Sequence, residues 1–191
     1  MRTWIAVSLL CASAIANGQT IPRPSPDYTI TIPGTGKQVS VGQYKGKVIA
    51  LEFLLTGCSH CQACSRTLAK IEKELGPKGF QVLGVAIDEV KPDIAMFRQV
   101  TGATFPIGVA PRESVLGYLQ RSVMQANMYM PQLVFIDAKG QIRGQYGGES
   151  EFFDPKSEEK NVRDMVLKLQ AEATPAPVKK TAAPATKKKV S

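Results

Sequence analysis

The sequence predicts an α/β fold, helices packed on a mixed central sheet, from three observations. KVIALEFLL (47–55) and FQVLGVAID (80–88) are almost continuously apolar, as strands covered on both faces are. A segment of helical period follows each of them. YMPQLVFIDAKGQIRGQYGG (129–148) then reads as strand, tight turn at Ala138-Lys139-Gly140, strand, so the last pair is antiparallel. Strands that alternate with helices and end in such a hairpin give a sandwich with a mixed sheet.

The chain has 191 residues, enough for one domain with appendages. It opens with Arg2 ahead of an apolar run from Trp4 to Ala16. At about 1.5 Å per residue the run is too short for a hydrocarbon core of roughly 30 Å. Ala14 and Ala16 suit a signal-peptidase cut, so residues 1–16 read as an export signal. The mature protein is then expected in the periplasm or outside the cell. An uncleaved anchor is the alternative. Cys11 lacks the Leu three places upstream that lipid attachment wants; Ser8 stands there.

Residues 17–27 (NGQTIPRPSPD) read as a linker and 28–172 as the folded domain. YTITIPGTGKQVSVGQYKGKV (28–48) gives two alternating stretches around a Gly-rich turn, a β-hairpin. The first buried strand ends at Thr56-Gly57. From Ser59 to Leu75, Cys61, Cys64, Leu68, Ile71 and Leu75 form one helical stripe, which Gly76-Pro77 stops. After the second strand, 92–102 is helical with Ile94, Phe97 and Val100 on one side. FPIGVA (105–110) is a short extended piece and 112–120 a short helix. The closing helix, 154–173, takes Asp154 as N-cap and Pro155 as its first residue, with Val162, Met165, Val166 and Leu169 facing inward.

The formal charge of +8 misleads. Residues 173–191, Ala-, Pro- and Lys-rich, carry five lysines and no acid; without these and Arg2 the remainder carries +2. The domain therefore offers no basic surface for nucleic acid. The tail has too little apolar surface to order itself. It reads as a solvated extension, or as a contact for an anionic envelope surface. The domain is expected to be a monomer.

GCSHCQACS (57–65) holds Cys58, Cys61 and Cys64, with the chain's only histidine, His60, between the first two. A structural crosslink is a weak reading, since a two-residue gap closes a tiny loop and restrains the unfolded chain little. A zinc site wants four ligands, usually on two separated knuckles, and no second histidine completes one; no metal is expected. What remains is redox chemistry. The strand gives way to a helix here, and the first helical turn offers unpaired N–H groups and the positive end of the dipole. That favours a thiolate at Cys58 by up to about 2 kcal/mol in partly buried geometry. A protonated His60 adds to it. Cys58 is the expected nucleophile. Cys61, one turn further on the buried stripe, is the resolving thiol.

VSVGQYKGKVIALEFLLTGCSHC (39–61) and YMPQLVFIDAKGQI (129–142) together resemble the exported TlpA-like thiol–disulfide oxidoreductases of the thioredoxin-like superfamily. The resemblance runs over about residues 28 to 170 in the order of elements. It implies a three-layer thioredoxin-like sandwich whose N-terminal β-hairpin joins a mixed central sheet with flanking helices. It implies a redox-active Cys58–Cys61 disulfide with no other cofactor. Pro131 would be a cis proline lying against that disulfide, and Met130 would offer its backbone to a substrate chain as an added strand does. Glu52, six residues before Cys58, would be a buried acid moving protons at the resolving cysteine; a carboxylate turned to solvent is the other reading. Partners would be protein thiols and disulfides, with an upstream exchange partner.

The chain departs from the family in two places. Gly57 replaces the usual aromatic residue before the first cysteine. Cys64 stands where related exported reductases often place Glu, and reads as a core cysteine or as a third redox thiol. The Ser-His pair resembles the Pro-His of oxidising members, whereas the family as a whole leans toward reductase. Two other functions compete. A peroxiredoxin-type thiol peroxidase would have Thr or Ser three residues before its cysteine, where Leu55 stands. A metal-handling protein on the same fold would need a distant histidine.

Overall fold

The structure, a computed structural model, describes residues 20–88, 90–121 and 128–173. The expected export signal, the start of the linker and nearly all of the lysine-rich tail lie outside the described residues.

Within the expected linker the structure has a strand, β1 (Arg23–Pro24). The hairpin follows as β2 (Thr29–Thr31) and β3 (Gln38–Ser40). Then come β4 (Val48–Leu54), α1 (Ser59–Leu75), β5 (Phe80–Ala86), α2 (Ile94–Thr101), β6 (Ile107–Val109) and α3 (Arg112–Tyr118). The chain closes with β7 (Gln132–Ile136), β8 (Gln141–Gly147) and α4 (Glu158–Ala173). All eight strands form one sheet in the order β1-β8-β7-β4-β5-β6-β2-β3. β4, β5 and β6 are parallel, and β7 pairs with β4 antiparallel. The sheet is mixed, as the sequence predicts.

Three layers follow from side-chain alternation along the sheet. Val48, Ala50 and Leu54 of β4 join a cluster with Cys61, Cys64, Leu68 and Ile71 of α1 and Val162, Val166 and Leu169 of α4. Ile49, Leu51 and Phe53 point the other way, into a cluster with Val115 and Tyr118 of α3 and Tyr28, Ile30 and Val39 of the hairpin. There the rings of Tyr28, Phe53 and Tyr118 meet edge-on or tilted, with centroids 5.0–5.7 Å apart. β4 is buried along its whole length, which is why its sequence shows no alternation.

The α1 stripe is buried as expected. The helix gives way at Gly76 to a single turn that Gly79 closes at φ 90°, a conformation that costs glycine little.

Three expectations are corrected. β1 lies inside the stretch read as linker: Arg23 is buried, pairs with Ile142 of β8, and donates to Tyr118 O (3.1 Å) and Gln145 Oε1 (2.9 Å). A two-residue strand leaves no periodicity to read. On α2, Val100 is exposed and Thr101 is buried instead, because the Thr101 hydroxyl donates to Phe97 O and so satisfies itself within the helix. α4 begins at Glu158 rather than Pro155. Asp154 caps a preceding turn, its side chain accepting from Lys156 N and its carbonyl from the amides of Ser157 and Glu158. Near its far end Glu172 pairs with Arg143 of β8 at 2.8 Å.

Candidate active site

The loop between β4 and α1 is tied down before the first cysteine arrives. Thr56 donates through its amide (3.0 Å) and its hydroxyl (2.8 Å) to the Asp88 carboxylate just beyond β5. Gln62 of α1 reaches back to Thr56 O at 3.0 Å. Cys58 then takes the N-cap position with extended backbone, and its sulfur accepts the Cys61 amide at 3.4 Å. Sulfur thus stands where Ser or Asp usually caps a helix.

The three cysteines are free thiols of unequal access. Cys58 is half-buried, whereas Cys61 and Cys64 are fully buried. Burial pushes the Cys61 thiol well up, and the Glu52 carboxyl adds to this; a hydrogen bond with the Leu55 backbone pulls the other way. The neighbouring Cys58 raises the Cys61 thiol further. Cys64 is raised by burial too, and lies against Glu52.

Glu52 sits in the middle of β4, opposite Gly84 and Leu133 on the neighbouring strands. It faces α1, and none of it reaches solvent. Its Oε2 accepts the Ser65 hydroxyl at 2.6 Å, while Oε1 has no hydrogen-bond partner among the described residues. Burial raises this carboxyl from 4.5 to about 8, against the smaller opposing effects of Ser65 and Cys64. A buried acid with one hydrogen bond prefers to keep its proton.

Met130-Pro131 is a cis peptide bond. Pro131 is buried and, with the exposed His60, borders a groove of about 590 Å³ between α1 and the segment joining β8 to α4. Met130 packs on both core clusters. Among the described residues its backbone N–H and C=O take no hydrogen bond. Its neighbour Tyr129 is held instead, the carbonyl accepting from Gly148 N (3.1 Å) and Gln132 Nε2 (2.5 Å). Only glycine fits at 148, since a Cβ there would lie 2.5 Å from Met130 O.

Cys58, Cys61, Glu52 and Cys64 therefore meet on one side of the sheet, with His60 and Pro131 at the adjoining groove. Asp88, Ser65, Gly148 and Glu158 do not stand out in the sequence. Only Ser65 left a signal, as a small polar residue one step along from the apolar stripe. Among the described residues no group of three or more His, Cys, Asp or Glu is placed to hold a metal ion, and no helix is long and apolar enough to cross a membrane.

A family model described as AhpC/TSA matches residues 21–145. The thiol–disulfide oxidoreductase ResA of Geobacillus kaustophilus is 26% identical over 160 residues, covering 75% of this chain and 83% of that protein. Probable glutathione peroxidase 8-B of Xenopus laevis is 30% identical over 88 residues, 42% of each chain. Among solved structures, the thioredoxin domain of a thiol–disulfide oxidoreductase from Bacteroides vulgatus superposes with a TM-score of 0.61 at 20% identity, covering 79% of this chain and 98% of that one. That likeness shows a thioredoxin-like fold.

Proposed function

The chain belongs to the AhpC/TSA family, and on that premise we propose that it is an exported thiol–disulfide oxidoreductase that exchanges a Cys58–Cys61 dithiol with protein disulfides, chiefly as a reductase. One observation carries the reading: Cys58 Sγ caps α1 and accepts the Cys61 amide, with the buried acid Glu52 behind the second thiol. The relatedness to ResA supports it.

In the reducing direction the Cys58 thiolate attacks one sulfur of a substrate disulfide. That bond breaks, one substrate sulfur leaves as a thiolate, and a mixed disulfide remains on Cys58. Cys61 is too buried to ionise unaided. It passes its proton to the ionised fraction of Glu52, which grows as pH approaches about 8, and attacks Cys58 Sγ. The second substrate sulfur departs, takes up a proton, and leaves a Cys58–Cys61 disulfide. Two electrons have moved to the substrate, and an upstream dithiol partner returns them. The Met130 backbone, which takes no hydrogen bond among the described residues, supports pairing with an extended substrate segment. Among the described residues no cation offsets the burial of the Cys61 thiol, so the reduced form gains no thiolate stabilisation there, which supports reducing over oxidising behaviour. Export rests on the reading of residues 1–16, and contact with an anionic surface on that of the lysine tail.

The test is alkylation of Cys58 and Cys61 after equilibration in glutathione buffers. A two-electron couple near the thioredoxin value of about −270 mV is expected. A value near about −120 mV would make the protein an oxidant, and absence of a couple would remove the reading. The partial likeness to a glutathione peroxidase gives a second reading, thiol peroxidase, which peroxide-consumption kinetics separate from the first.

A further inference from the structure

β7 is buried along its whole length, and its one polar side chain stands at the end next to Pro131. Gln132 is wholly buried. It lies opposite Phe53 of β4 and Gly147 of β8. Its amide is only half satisfied: Nε2 donates to Tyr129 O at 2.5 Å, while Oε1 has no hydrogen-bond partner among the described residues. An apolar side chain of similar size would avoid burying a bare oxygen, so packing does not explain a glutamine here. The neighbouring strand makes room for it, since a Cβ at Gly147 would come within 2.8 Å of Nε2.

The carbonyl that Gln132 reaches is held twice. Gly148 N also donates to Tyr129 O, at 3.1 Å, so both lone pairs of that oxygen are taken. Tyr129 C=O and Met130 N–H belong to one planar trans peptide unit, in which they point in opposite directions. Fixing the oxygen therefore aims the Met130 N–H away from Gln132 and Gly148. That N–H takes no hydrogen bond among the described residues.

We propose that Gln132 is a positioning residue for polypeptide binding: by holding Tyr129 C=O it sets the direction of the Met130 N–H, which meets a backbone carbonyl of an extended substrate segment. The inference deepens the exchange reading above and rests on it. No proton or electron passes through Gln132. What it supplies is orientation, so its effect falls mainly on substrates that have a backbone to pair. A role confined to the fold, closing the turn before β7, accounts for the bond to Tyr129 but predicts no distinction between substrates.

The experiment compares Gln132→Met and Gln132→Glu with the native chain on two probes: insulin, which presents polypeptide around its disulfides, and hydroxyethyl disulfide, which has no backbone. In the Met variant KM for insulin should rise roughly three- to tenfold, as for the loss of one neutral hydrogen bond, with kcat changed less. Its kcat/KM for hydroxyethyl disulfide should fall less than that for insulin. In the Glu variant a protonated carboxyl still donates to Tyr129 O and an ionised one cannot. Its KM for insulin, relative to the native chain at the same pH, should climb as pH rises, whereas that of the Met variant stays level. An unchanged KM for insulin in the Met variant, or equal losses on both probes, overturns the proposal. A Met variant that does not fold assigns the amide to the fold instead and overturns it too. Lack of a Cys58–Cys61 couple in the native chain by alkylation overturns the exchange reading, a failure read without either variant.

Discussion

Ser65 Oγ donates to Glu52 Oε2 at 2.6 Å across the interface of α1 and β4, with both residues wholly buried. This is one neutral hydrogen bond to a carboxyl whose other oxygen has no partner among the described residues. Such a site suits an acid that gives and takes a proton rather than one that stays ionised.

Stability should therefore fall as pH rises. The folded form of Glu52 binds its proton more tightly than the unfolded form, with the pKa raised from 4.5 to about 8. Stability from this group is fully present below pH 4.5 and is lost through to about pH 8. At roughly 1.4 kcal/mol per unit the loss amounts to several kcal/mol. Urea denaturation of Glu52→Gln across that window should show a flatter profile and a more stable protein at its alkaline end. Glu158, also raised by burial, leaves a residual slope of the same sign. A profile as steep as that of the native chain would contradict the assignment.

Replacing Cys61 by Ser should trap the mixed disulfide, since the displacing sulfur is gone while Cys58 keeps its place at the start of α1. Mass spectrometry after incubation with a disulfide-bearing protein should find the adduct on Cys58 and lose it in Cys58→Ser. An adduct on Cys64 instead would reverse the roles given to the three thiols.

Cys64→Ala should leave the couple intact. The residue is fully buried in the core on the α1 stripe, so the expected effect is a loss of about 1–2 kcal/mol from the small cavity left behind. A potential displaced by tens of millivolts would mean that Cys64 exchanges electrons as a third thiol.

Gly148→Ala should cut exchange with protein substrates by tenfold or more, an effect of about 1.4 kcal/mol or larger. Its Cβ would meet the Met130 carbonyl oxygen at 2.5 Å, forcing apart the backbone that carries Met130 and Pro131. Exchange with a small disulfide should suffer less. Equal losses for both substrates would argue against a role for Met130 in holding a polypeptide.

The strands and helices that carry the cysteines are legible because they repeat. The continuous apolar run of 47–55 can only be covered on both faces, and the stripe from Cys61 to Leu75 fixes the buried side of α1. β1 is illegible: two residues, one of them proline, have no period, and Arg23 counts as exposed until Tyr118 and Gln145 supply its partners. Glu52 could be placed on β4 but not on a face, since every neighbour is apolar. Its inward direction appears only when Ser65 is seen opposite. Glu158 reads in sequence as an ordinary acid at a helix start, and only the packing of α4 on α1 buries it.

β1 joins β8 at Ile142 and Gln141, beside the Asp137–Gly140 turn, and α4 runs from the groove to Glu172 and Ala173 at that same turn. Cys58 and Gly148 lie at the opposite pole of the sheet, a strand's length of roughly 17–20 Å away. Ala173 thus leaves the domain at the pole facing away from the thiols, whereas the chain before Arg23, antiparallel to β8, comes in from the thiol side. A protein moored at Ala173, on a biosensor chip for instance, would present Cys58 outward.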